Sequence, residues 1–87
     1  RKVPGGKLVR LDVEAGKTLE RVRITGDFFL FPEEALDEVE AALCGLPLPL
    51  DAALAEQVIS RALESSRAEL IGLNPRELVI TLQEALA

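Results

Sequence analysis

The chain has 87 residues, enough for one domain, and a chain this short buries only about 60–65% of the surface its unfolded form exposes. Its apolar fraction of 48% excludes disorder. One cysteine and no histidine exclude an internal disulfide, a zinc site and a Ser-His-Asp triad within the chain.

The net charge of −5 is unevenly spread. Residues 1–25 carry seven basic and three acidic side chains, for +4; residues 26–87 carry three and twelve, for −9. Such asymmetry orients a partner or draws an anionic ligand to one side, or is chance clustering on solvated faces. The overall acidity argues against nucleic-acid binding. No apolar run nears the roughly 20 residues of a membrane span. RKVPGGK has no signal-peptide core behind it, so a soluble cytoplasmic protein is expected. With no methionine, Arg1 reads as lying downstream of the natural start, or as the start of a trimmed domain.

Lys2 to Leu8, KVPGGKL, is the first candidate site. Pro4-Gly5-Gly6 permits a sharp turn and close backbone approach. Lys2 and Lys7 flank it and could meet a phosphate. It is not a Walker motif, because Lys7 leads into a strand and no Ser or Thr follows. Taken alone, an ordinary turn is the simpler reading. The Arg1–Pro4 segment is a candidate edge strand or extended arm.

KLVRLDVE (7–14) alternates, with Val9, Leu11 and Val13 on one side, and so predicts a half-buried strand. TLERVRIT (18–25) alternates again, with Val22 and Ile24 inward. A turn at Ala15-Gly16-Lys17 makes the two an antiparallel hairpin. Its outer face sets Arg21 and Arg23 against Asp12 and Glu14.

TGDFFLFPEE (25–34) holds all three aromatic residues. Asp27 beside Gly26 most simply caps the turn with its side chain; the alternative is a polar contact to a partner or ligand. As an extended run, Phe29 and Phe31 face one way and Phe28 and Leu30 the other. One face can enter the core. The other needs cover from the helices or from a second protein.

A helix is predicted over 32–44, with Pro32 in its first position and Leu36, Val39 and Leu43 on one face. Gly45 ends it. Cys44, in its last turn, reads as a small buried hydrophobe. LPLPL (46–50) is an extended connector. Asp51 caps a second helix over 51–65, with a stripe of Leu54, Val58 and Ala62 and with Ile59 and Leu63 close by. ELIGL (69–73) is ambiguous. Asn74, Pro75 and Glu77 make a capping box for a third helix over 75–86, whose stripe is Leu78, Leu82, Ala85 and Leu86. The fold class is therefore α+β: a small antiparallel sheet, hairpin plus edge strand, covered on one face by about three helices.

KVPGGKLVRLDV, a short turn and ERVRITGDFFLFPEEALDEVEAAL together resemble the C-terminal accessory domain of lipoate–protein ligases, most of all the archaeal type made as a small separate subunit. The resemblance continues through LIGLNPREL and covers nearly the whole chain, so residues 1–87 read as a single accessory domain. Its most specific feature is K-x-P-G-G-K-L followed some twenty residues later by I-T-G-D-F-F. It implies a two-layer fold similar to iron–sulfur scaffold proteins. It also implies a non-catalytic role, needed for ATP-dependent activation of lipoate to lipoyl-AMP before transfer to an acceptor lysine. ATP with Mg and lipoate would be held in the complex and none by this chain alone.

The implied partners are the ligase catalytic subunit or domain and, indirectly, lipoyl-acceptor domains of 2-oxoacid dehydrogenases or the glycine-cleavage protein; no nucleic acid or membrane is implied. Lys2 and Lys7 match the family's lysines and become substrate-proximal candidates. Pro4, Gly5, Gly6, Gly26, Asp27, Phe28 and Phe29 become candidates for the motif turn and partner interface. No catalytic or metal residue is expected. The alternatives are a sulfur or iron–sulfur carrier, for which one buried cysteine is poorly suited, and a generic protein-interaction domain.

Overall fold

The computed structural model describes residues 1–3 and 7–87. Its elements run β1 (Val9–Ala15), β2 (Leu19–Gly26), β3 (Phe29–Phe31), α1 (Glu34–Leu43), α2 (Ala52–Ser65), β4 (Glu69–Ile71) and α3 (Pro75–Leu86). This is the expected α+β class, with one addition. β1 pairs with β2, and a second antiparallel ribbon joins β3 to β4. The ambiguous ELIGL thus supplies a strand.

The hairpin pairs Val9 with Gly26 through to Glu14 with Arg21, then slips so that Ala15 lies opposite Leu19. This bulge returns Leu19 to the face of Val22 and Ile24, and all three are buried. Val9 and Leu11 join them from β1. Against this face pack Val39 and Leu43 of α1 and Leu78, Val79 and Leu82 of α3, and Ala55 and Ile59 of α2 close the core from behind those two helices. On the outer face Arg21 meets Glu14 at 3.7 Å, but Asp12 is taken by Arg10 at 3.2 Å and not by Arg23 opposite it.

Residues 1–3 form a short arm along β1. The Arg1 amino group donates to the Val9 carbonyl at 2.7 Å, and the Val9 N–H to the Arg1 carbonyl at 2.8 Å. Val3, buried, donates to Lys7 at 2.8 Å. The outer edge of β2 is closed from elsewhere. Leu19 exchanges bonds with Gly45 and Leu46. The Ile24 N–H donates to Oε2 of Glu40, on α1, at 2.6 Å.

Several local expectations change. α1 begins at Glu34, two residues after Pro32, and its first residues carry no side-chain cap. Asp51 and Asn74 do cap α2 and α3, accepting from Leu54 at 3.1 Å and Glu77 at 2.9 Å. The Glu77 side chain does not close a capping box; its carboxylate instead accepts from the Arg1 guanidinium at 3.1 Å. The buried stripe of α2 centres on Ala55 and Ile59, with Leu54 exposed, and that of α3 takes in Val79 and Thr81 while Ala85 is exposed. In each case the neighbouring position is also apolar, so packing and not periodicity decides which one faces inward.

Candidate functional site

The two halves of the motif meet in space. Val9 and Gly26 face each other across the hairpin, and the Asp27 N–H donates to the Leu8 carbonyl at 2.8 Å. Gly26 lies so close to the opposite backbone that a Cβ there would stand 2.3 Å from the Leu8 oxygen. Only glycine fits such an approach. Lys2 pairs with Leu8 across the arm, which brings both lysines to this end of the molecule.

Lys7 is held by the second ribbon. Its aliphatic stem passes over Gly72, just after β4, where a Cβ would lie 3.4 Å from Lys7 Cγ and 3.6 Å from Cε. Gly72 has φ of +89°, a conformation that glycine adopts freely. The stem is thereby laid along a bare stretch of backbone next to Ile71, which pairs with Phe29. The lysine and the aromatic run therefore share one surface.

The apolar run divides as its alternation predicts. Phe28 and Leu30 are half-buried, and Phe28 packs against the core. Phe29 and Phe31 are 55% and 63% exposed. With Ile71 at 53% and Leu8 at 54%, this end carries four of the five large exposed hydrophobic residues among those described. Sequence reasoning does not single out Phe31 or Ile71 for this surface. Ile71 escaped because its strand is three residues long and pairs across some forty residues of chain.

Beside Phe29 and Phe31 lies a groove of about 710 Å³, bounded by the end of β2, by β3 and by the start of α1. Phe28, Leu30 and Leu36 give it apolar lining, and Glu33, Glu34 and Asp37 give it carboxylates.

Other candidates stand differently. Asp27 is exposed, and among the described residues the turn is held by its backbone N–H. Pro4, Gly5 and Gly6 lie outside the described residues. Cys44 is exposed, which corrects its expected burial. It follows the last helical residue and its backbone is already extended, so the side chain leaves the buried stripe. The burial objection to a sulfur-carrier role is thereby removed. Among the described residues no three His, Cys, Asp or Glu side chains gather as a metal site, and no described helix is long and apolar enough to cross a membrane.

The arm that carries Lys2 is pinned by Arg1, whose guanidinium lies 3.1 Å from Glu77 and 3.1 Å from Glu84 on α3. The hydrogen bond that Arg1 donates to Glu77, helped by the charge of Glu84, raises the Arg1 pKa above its ordinary value. The pin on the arginine side is therefore charged throughout the working pH range.

No protein-family model matches the chain, and no curated protein sequence does. Among solved structures, it is similar to a chain from the bipartite lipoate protein ligase and E2 lipoyl domain of Thermoplasma acidophilum, an archaeal lipoylation system. The two are 23% identical, with a TM-score of 0.70 over 87% of this chain and 82% of that one. At that identity the likeness shows the fold; the two coverages also make the chains similar in length.

Proposed function

We propose that this chain is the accessory domain or subunit of a lipoate–protein ligase, acting on a separate catalytic subunit during activation of lipoate to lipoyl-AMP. The observation that carries this reading is the convergence of the motif halves: Leu8 on Gly26 and Asp27, with Lys7 laid along Gly72 beside the exposed Phe29–Ile71 pair. The shared fold with a chain from a bipartite ligase structure supports it.

The chemistry fits such a division of labour. In adenylation the lipoate carboxylate attacks the α-phosphate of ATP and pyrophosphate leaves. Negative charge builds at phosphate oxygens, so cationic groups and exclusion of water favour the step. The catalytic subunit would hold ATP with Mg and lipoate. This chain would supply an apolar cover through Phe29, Phe31 and Ile71. It would also supply a positive group through Lys7, with Lys2 nearby. The activated lipoyl group would then pass to a lysine on an acceptor domain.

The test is to mix the chain with its catalytic subunit and measure lipoate-dependent pyrophosphate release. Release is expected only in the mixture, and to be reduced by Lys7→Ala at matched complex concentration. Equal release by the catalytic subunit alone would refute the accessory role. Full release with Lys7→Ala would remove only the lysine's part in it.

A further inference from the structure

The groove between β3 and α1 carries a charge pattern that the cover role does not use. Its carboxylates, Glu33, Glu34 and Asp37, are joined by no basic side chain among the described lining residues. Part of this has a local cause. Helix α1 has no side-chain cap, and acidic residues in a first turn ease the exposed N–H groups there. That accounts for acidic residues near the helix start, but not for three of them lining one apolar groove beside a phenylalanine left 63% exposed.

We propose that this groove receives a segment of the catalytic partner that places an apolar side chain beside Phe31 and lysine or arginine side chains against Glu33, Glu34 and Asp37. The inference rests on the accessory reading above and specifies the partner's chemistry. Half-buried Phe28, Leu30 and Leu36 already give the groove an apolar lining, so an inserted side chain would lose water contact on several sides. The acidic border selects the flanks of the inserted segment by charge and repels anionic surfaces. Apolar centre and charged rim are the usual division of an interface between affinity and steering. The same border leaves the lysines of the arm as the positive part of this end, so the partner is met by two separated charges of opposite sign. That fixes its orientation.

The experiment compares wild type, Phe31→Ser and the triple variant Glu33→Gln/Glu34→Gln/Asp37→Asn for binding to the cognate catalytic subunit at low and high salt. The triple variant is expected to associate about 10-fold more slowly at low salt, with a flatter salt dependence. Phe31→Ser is expected to dissociate about 10-fold faster. Hydrogen exchange on the wild-type complex should slow at the Phe29–Phe31 amides. Urea melts check folding, and Asp37→Asn alone replaces the triple variant if that one is unfolded.

Wild-type kinetics in both variants, with stimulation of pyrophosphate release intact, would overturn the groove proposal and leave the accessory role standing. No binding by wild type at all would overturn the accessory role and the groove proposal with it. A wild-type homodimer that Phe31→Ser converts to monomer, with heterologous binding unchanged, would assign the groove to a second copy and overturn the proposal.

Discussion

The Asp27 N–H donates to the Leu8 carbonyl at 2.8 Å, and with it the turn after β2 is tied to the residue that leads into β1. Leu8 and the Gly26-Asp27 turn, distant in sequence, are thereby joined. Gly26 is the residue that lets them close. Gly26→Ala would put a methyl group 2.3 Å from the Leu8 oxygen, where backbone must move. A loss of at least about 1–3 kcal/mol is expected in urea unfolding. Exchange at the Asp27 amide should also quicken. An unchanged midpoint would mean that this approach is not needed for folding.

Phe28 and Phe29 are adjacent but should behave oppositely. Phe28 packs on the core while half-buried, so Phe28→Ala is expected to cost about 2 kcal/mol, below the range for a fully buried phenylalanine. Phe29→Ala should change stability by less than about 0.5 kcal/mol and weaken binding to the catalytic subunit. Equal effects of both on stability would contradict the division of the run into inner and outer faces.

Gly72 is expected to act through Lys7. Gly72→Ala forces an alanine into φ near +89°, at about 1–2 kcal/mol, and crowds the Lys7 stem. Pyrophosphate release should fall as it does in Lys7→Ala, and the double variant should fall little further. Additive losses would show that the two residues act separately.

Cys44 should react with a thiol reagent in the native protein about as fast as in urea, since it is exposed. Cys44→Ser should leave stability within about 0.5 kcal/mol and, on the accessory reading, leave pyrophosphate release intact. Slow native labelling would contradict the exposure. Loss of function in the serine variant would favour the sulfur-carrier alternative.

Much of this was legible where the cause is local. The hairpin follows from alternation, and the starts of α2 and α3 follow from Asp51 and Asn74, because these depend on residues a few positions apart. The β3–β4 ribbon was not legible, since three-residue strands carry too little alternation and their pairing is decided at long range. The local pattern points Glu77 to its own helix start, but the Arg1 guanidinium, 76 positions away, competes for its carboxylate. The stripe of α2 moves off Leu54 onto its apolar neighbour Ala55, while that of α3 keeps Leu78 and Leu82 and widens to Val79 and Thr81. For the site, the alternation showed that both faces of the phenylalanine run were apolar. Which face stays uncovered, and that Ile71 joins it, depended on tertiary packing.

The Glu40 carboxylate on the Ile24 amide has a consequence for how the molecule keeps to itself. A small sheet with an open strand invites another chain to add to it and so to polymerise. Here the far edge of β2 is occupied at one end by Glu40 and at the other by Gly45 and Leu46. A foreign strand would have to displace the Glu40 side chain and two backbone bonds before it could seat. Along that edge the protein withholds the indiscriminate backbone handshake that any polypeptide could accept.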